Sequence, residues 1–318
     1  MNDVQDITIE ALINRYEVLL LDAYGVLVHS TGIIAGAPEL IARLNRTSKP
    51  YYILTNDASK LPATAAARFH GMGLAIDTDR IITSGTLLKG YFAKNRLTGS
   101  RCVVLGPEDS VRYVELAGGL VVTPDDKFDV VVIGDESGFP FLDTVDSVLT
   151  GLVRKLDHGE KVHLVLPNPD LIYPKSDRGY GITGGGIALI LEAALHQRYP
   201  ARSNLHFDRL GKPHTVIFEE ALRRSGTRNM VMIGDQLATD IRGARAFGPS
   251  RGRLRPRAAP GTPPMPPPLL PCTVHRRRGW RSRYRCRLYP ESAHLRRGLR
   301  RCLRPVRSDQ PSYIDWMK

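Results

Sequence analysis

Cysteine is scarce in this chain of 318 residues: there are four, and the first 248 residues hold Cys102 alone. That excludes a disulfide framework over most of the sequence and fits a reducing compartment. The other three, Cys272, Cys286 and Cys302, are widely spaced and lack the paired CxxC or Cys/His pattern of a zinc site. No apolar run approaches membrane-spanning length, and the start, MNDVQDITIEAL, has no basic stretch followed by an apolar one. These absences predict a soluble, cytoplasmic protein with no membrane partner. Neither the GxGxxG nor the Walker phosphate-binding pattern occurs, so the glycine run 184–186 ahead of a helix over 187–196 reads as a hinge or a tight approach.

The net charge of +13 misleads as an average. Residues 249–318 carry 18 Lys plus Arg against 3 acids, 12 of the 23 prolines and both tryptophans, whereas residues 1–248 hold 27 basic and 29 acidic side chains. The chain changes character at about Gly248. Beyond it no sustained helical or strand period follows, and the composition predicts a disordered basic Pro/Arg-rich tail.

Within residues 1–248 a single stretch stands out. Residues 18–21 are a continuous aliphatic run ending in a carboxylate, Asp22, with Gly25 close behind in LLLDAYGVL. A run without alternation suits a strand buried on both faces of a parallel sheet, and ligands of such sheets sit beyond the carboxyl ends of the strands. Taken alone, Asp22 is equally well the start of a turn. Three more strand-end signals follow in order. They are Thr55, Asn56 and Asp57 after 51–54 (YYILTNDAS), Lys212 in FDRLGKP, and Asp235, Thr239 and Asp240 after 230–233 (VMIGDQLATDI). Helical periods over 37–45, 63–72, 215–224 and 238–247 alternate with these strands, which implies right-handed crossovers. Residues 87–185 interrupt the series with their own alternation, strands at 102–105, 130–133 and 162–166 and a helix at 144–156.

This order of acid, Thr, Lys and GDxxxTD resembles the four motifs of the haloacid dehalogenase (HAD) superfamily. The phrases TNDAS, NPD and GKP look most like its class IIA branch of nitrophenylphosphatase-like and sugar- or nucleotide-phosphatase-like enzymes, over roughly residues 10–248. The resemblance implies an α/β fold, a doubly wound parallel-sheet core with an inserted α/β cap domain. The expected division is core over 1–86, cap over 87–185, core again over 186–248, and tail over 249–318.

The resemblance also implies roles. Asp22 is the expected nucleophile, forming an aspartyl-phosphate on a small phosphorylated metabolite, a sugar phosphate or a nucleotide. Mg2+ is the expected cofactor, held by Asp22, Asp235 and the backbone carbonyl of residue 24, with Asp240 in support. Lys212 is expected to hold the phosphate and the Asp22 carboxylate, with Gly25, Thr55, Asn56 and Asp57 completing the cradle. Asn168 and Asp170, in LPNPDLIYP at the return from the cap, are expected to face the substrate, although a proline turn with an Asx hydrogen bond explains them as well. One position departs from the pattern. Phosphatases of this superfamily usually carry a second Asp two residues after the nucleophile, as general acid and base, and here that position is Tyr24. A phenol with an ordinary pKa of about 10 is a poor base near neutrality, and His29 is the best placed of the histidines to replace it.

Two other readings stay open. One is a phosphometabolite-binding protein weakened in catalysis by Tyr24. The other is a nucleic-acid contact through the arginines and aromatics of 276–287, which ranks below the phosphatase. The tail also reads as a frame-shifted stretch, because no apolar strand is apparent after Gly248 where a HAD core normally continues. Relatives of this class often pair through their caps, which makes a homodimer an expectation.

Overall fold

The computed structural model describes residues 5–176 and 179–248 and the strand segments 270–274 and 285–288. Its centre is a seven-stranded sheet in the order Gln5–Thr8, Arg285–Leu288, Leu270–Val274, Met230–Gly234, Val18–Leu21, Tyr51–Thr55, Ile81–Thr83. The last five run parallel, and the first two close one edge antiparallel. Leu21 stands in register with Ile53 on one side and Ile233 on the other. The residues that follow these three strands therefore emerge at one level.

The aliphatic run 18–21 lacks alternation because both faces are covered. Leu19 and Leu21 face a cluster with Leu12, Ile41, Leu44 and Phe69. Val18 and Leu20 face the opposite cluster, with Phe92, Ile217, Phe218 and Phe247. Burying a leucine or isoleucine fully contributes about 1.5–3 kcal/mol, so a strand with two apolar faces is fixed in register by both.

A second, all-parallel sheet of five strands has the order Asp208–Arg209, His163–Leu166, Val130–Ile133, Arg101–Leu105, Leu120–Val121. Helices Phe141–Asp157 and Gly184–Arg198 cover one face, through Val145, Val148, Leu152, Ile187, Leu191 and Leu195. The other face contributes Cys102, Val130, Val132 and Val165 to the cluster that lies under the first sheet. The two units therefore share one apolar core. Polar bonds tie them as well: Ser110 Oγ donates to the Ala58 carbonyl and the Leu61 amide donates to Asp109 Oδ2, each at 2.8 Å.

Two expectations change here. The inserted unit does not end at residue 185, because helix Gly184–Arg198 packs on the second sheet and strand Asp208–Arg209 belongs to it. A helix apolar on several sides reads as core helix in any α/β unit, so its owner was not legible. The second change lies after Gly248, where no strand was expected. Leu270–Val274 pairs parallel with Met230–Gly234, and Arg285–Leu288 pairs antiparallel with both Leu270–Val274 and Gln5–Thr8. Pro271 interrupts the first of these and arginines alternate through the second, so neither carries an apolar strand pattern. Apart from these two strands, the expected disordered tail and the arginine-rich stretch read as a nucleic-acid contact lie outside the described residues. Among the described residues no helix is long and apolar enough to cross a membrane.

Candidate active site

The strand Val18–Leu21 delivers Asp22 to the carboxyl edge of the first sheet, where its amide donates to the Ile233 carbonyl at 2.9 Å. The turn that follows needs Gly25. Its φ is +84°, and a Cβ there would lie 2.2 Å from the Asp235 carboxyl group. Asp22 is buried, and its Oδ1 accepts from the Ala23 amide at 2.8 Å and lies 2.7 Å from Lys212 Nζ. Oδ2 is the oxygen left for other chemistry.

Strand Met230–Gly234 delivers Asp235, and a π-helical turn, Leu237–Ile241, then swings Asp240 back under the site. Such single turns recur at functional sites because they re-aim one side chain. Asp240 is fully buried, lies 2.7 Å from Lys212 Nζ through Oδ1 and accepts from the Gln236 amide through Oδ2. Asp22, Asp235 and Asp240 bring carboxylate oxygens within 4.8 Å of one another. The set is all oxygen, with three carboxylates against the single ammonium of Lys212, and this suits a hard divalent cation such as magnesium. The electrostatics agree. Burial and the neighbouring Asp240 push Asp22 well above the usual carboxylate range against the pull of Lys212, and the same two causes raise Asp235. Burial works against the Lys212 charge, but Asp22 and Asp240 outweigh it and hold the ammonium above its ordinary value.

Asn56 organises the opposite side. Its Oδ1 accepts from the Lys212 amide at 2.7 Å, while its Nδ2 donates to the Lys212 carbonyl at 2.9 Å and to Asp170 Oδ1 at 3.0 Å. One amide thus links the core strand, the lysine turn and the NPD segment of the second unit. Asn168 makes the Asx bond, accepting from the Asp170 amide at 3.1 Å, so it holds the turn that presents Asp170. Gly185 is the tight approach: a Cβ there would fall 2.3 Å from the Asp170 carbonyl oxygen. Thr55 is buried beside these groups and its hydroxyl accepts from the Asp57 amide at 3.2 Å. The Asp57 carboxylate is spent on its own loop, on the Ser59 amide and hydroxyl and on Lys60.

Tyr24 is 40% exposed. Its hydroxyl accepts from Arg68 Nη2 at 2.9 Å, and the guanidinium lies 5.6 Å over its ring. His29 turns the other way, its Nδ1 accepting from the Thr31 amide. It sits in a short hairpin, Val28–His29 against Gly32–Ile33, outside the cluster. Arg68 carried no signal in sequence, since a basic residue in the last turn of a helix is ordinary. Ser84, whose hydroxyl donates to the Asn56 carbonyl, was equally silent.

A buried acid at a strand end, a lysine bridging two carboxylates and a third acid open to solvent form, at the carboxyl edge of a parallel α/β sheet, a cluster able to hold a metal ion. Comparison with known proteins gives the class. Residues 19–119 match the family described as haloacid dehalogenase-like hydrolase, and residues 209–251 match the HAD-hydrolase-like family. A solved structure of a possible sugar phosphatase of the HAD superfamily from Cytophaga hutchinsonii is similar at 30% identity and a TM-score of 0.66, over 77% of this chain and 87% of that one. The dihydroxyacetone phosphatase of Corynebacterium glutamicum is 27% identical over 74% of this chain and 80% of its own length. The glycerol phosphate phosphatase of Mycobacterium tuberculosis, solved in complex with magnesium, shares the fold at 22% identity and a TM-score of 0.61, over 77% of this chain and 68% of that one. The chain belongs to the haloacid dehalogenase superfamily, among its class IIA phosphatases.

Proposed function

We propose that the chain is a magnesium-dependent phosphomonoesterase of small phosphorylated metabolites, working through an aspartyl-phosphate on Asp22. The observation that carries the reading is the arrangement of Asp22. One carboxylate oxygen is tied to Lys212 and the Ala23 amide, and the other accepts no hydrogen bond among the described residues. That free oxygen attacks phosphorus, the ester P–O bond breaks, and the electron pair leaves with the substrate's oxygen. Water then attacks the aspartyl-phosphate, releasing phosphate and restoring Asp22.

A cation held by Asp22, Asp235 and the carbonyl of residue 24, with Asp240 behind them, supplies charge neutralisation when bound. Lys212 adds a fixed positive charge, and its position is set by Asn56 through two backbone bonds. Asp170 reaches the same amide from the second unit, which supports a cap return beside the phosphate. General acid and base help, ordinarily worth about 10² to 10⁴ in rate, falls to Tyr24, which suits it poorly as a base. We therefore expect slow turnover on alkyl phosphates and faster turnover where the leaving group needs no proton. Cytoplasmic placement fits Cys102, a buried free thiol.

Phosphate release from nitrophenyl phosphate and a panel of sugar phosphates and nucleotides tests the reading, with magnesium against chelator and wild type against Asp22→Asn. Turnover that needs both magnesium and Asp22 supports it. Folded protein that binds phosphate esters without hydrolysing any of them favours the second reading, a binding protein, for which the observation is the Tyr24 hydroxyl turned to Arg68.

A further inference from the structure

The cleft beside Asp22 is lined on its core side by Ala23, Tyr24, Thr55, Asp57, Lys60 and Arg68. Two of these are cations, and their surroundings differ. Lys60 is neutralised locally, 3.3 Å from Asp57 Oδ2 and donating to Ser59 Oγ. Arg68 touches Tyr24, a neutral phenol, through one hydrogen bond and the ring face. No carboxylate among the described residues pairs with it. A guanidinium offers five N–H donors in a rigid fork matched to carboxylates, and the Tyr24 hydroxyl takes one of them.

In-line displacement at phosphorus puts the leaving group on the far side from Asp22. The cleft carrying Tyr24 and Arg68 borders Ala23 and Thr55, next to Asp22 and Asn56. From the second unit Glu136 comes within electrostatic reach of Asp57 and Lys60, Asp135 lies beside Glu136, and Tyr173 comes within reach of Tyr24. These acids oppose a large added negative charge, while the unpaired guanidinium favours a single one.

We propose that Arg68, held in place by Tyr24, is a specificity-determining residue that receives a carboxylate carried by the leaving group, so that the preferred substrates are phosphate esters of small hydroxy acids. This deepens the phosphatase reading and rests on it for the position of the phosphate. It also gives Tyr24 a use that the usual Asp would not have, since a carboxylate at residue 24 would claim the guanidinium for itself.

Two readouts test the assignment. The first is the kcat/KM of phosphoglycolate relative to glycerol 3-phosphate. The second is the affinity of the same two ligands for Asp22→Asn, which separates binding from turnover. Wild type prefers phosphoglycolate, and Arg68→Met lowers the preference by about ten- to a hundredfold, the range of a charge-assisted hydrogen bond. The loss falls mainly in KM, and Arg68→Lys restores some of it. A helix-terminal role for Arg68 alone would lower both substrates equally, and that result overturns the assignment. A wild-type preference for glycerol 3-phosphate, or for a glycerate bisphosphate over phosphoglycolate, overturns it too. Absence of all turnover, with the Arg68-dependent binding preference intact, removes the phosphatase reading and keeps the carboxylate site.

Discussion

Lys212 and Asp22 form an ion pair of 2.7 Å between side chains only 3% and 9% exposed, at the point where the two halves of the core meet. The same ammonium lies 2.7 Å from Asp240, which is fully buried. Removing one partner of a buried pair leaves an uncompensated charge and typically costs about 3–5 kcal/mol. Lys212→Met is expected to lose a comparable amount, read as a lower urea midpoint, along with phosphate release. Lys212→Met with wild-type stability in urea would show that the carboxylates are neutralised some other way.

Asp235 behaves oppositely. Its folded pKa is raised by burial and by Asp240, so the folded chain holds that proton more tightly than the unfolded one. Without metal, stability contributed by this group falls as pH rises from the unfolded carboxylate range through the raised folded value. Asp235→Asn is expected to melt above wild type in chelator at neutral pH and to lose the magnesium-dependent rise in Tm. Thermal melts with magnesium and with chelator, between about pH 4 and 8 to span the carboxylate range, check both. An unchanged magnesium response in the variant would remove Asp235 from the ligand set.

Tyr24→Asp restores the acid usual in this superfamily at that place. Turnover of alkyl phosphates should rise by about 10² to 10⁴, with a much smaller change for nitrophenyl phosphate, whose leaving group needs no proton. The variant also brings a carboxylate to Arg68. Steady-state kinetics on the two substrate types decide the matter, and equal effects on both would show that protonation does not limit the wild type.

Cys102 is fully buried, and burial together with Asp129 pushes its thiol up to about 12 despite a backbone hydrogen bond from Leu120. A thiol of that kind is inert because the thiolate is the reactive form. Alkylation at about pH 8, near the pKa of a free thiol, followed by peptide mapping should leave Cys102 unmodified in native protein and modify it in denaturant. Rapid native labelling would contradict the packing of the shared core.

How much of this was legible in sequence depends on what each residue had to satisfy. Asp22, Lys212, Asp235 and Asp240 sit at strand ends or in a lysine turn, where local pattern and family spacing coincide, and the structure gathers all four. Asn56 was legible as a position and not as a link, because its partners Asp170 and Lys212 are 114 and 156 residues away. Asp57 looked like a member of the cradle, yet Ser59 offered its carboxylate nearer donors. Arg68 was silent because its significance comes from the Tyr24 ring beside it and not from its own helix. The limit of the second unit was misplaced because helix Gly184–Arg198 has the same apolar character whichever sheet it covers. The strands at 270–274 and 285–288 escaped notice because backbone pairing alone defines them, without an apolar period.

The apolar cluster that runs from Leu20, Leu54 and Met232 of the first sheet to Val130, Val132 and Val165 of the second has a consequence for protein engineering. Retargeting an enzyme of this type is commonly imagined as a transplant, with one chassis kept and the lid exchanged. Here the cut would pass through a close-packed interior, where a misfit of one methylene is felt. A donor lid would have to arrive with its own versions of Phe92 and Tyr113, or leave voids costing about 2–5 kcal/mol for each large side chain lost. Specificity in this chain is therefore better redrawn residue by residue along the loops that face the cleft than by swapping the unit that carries them.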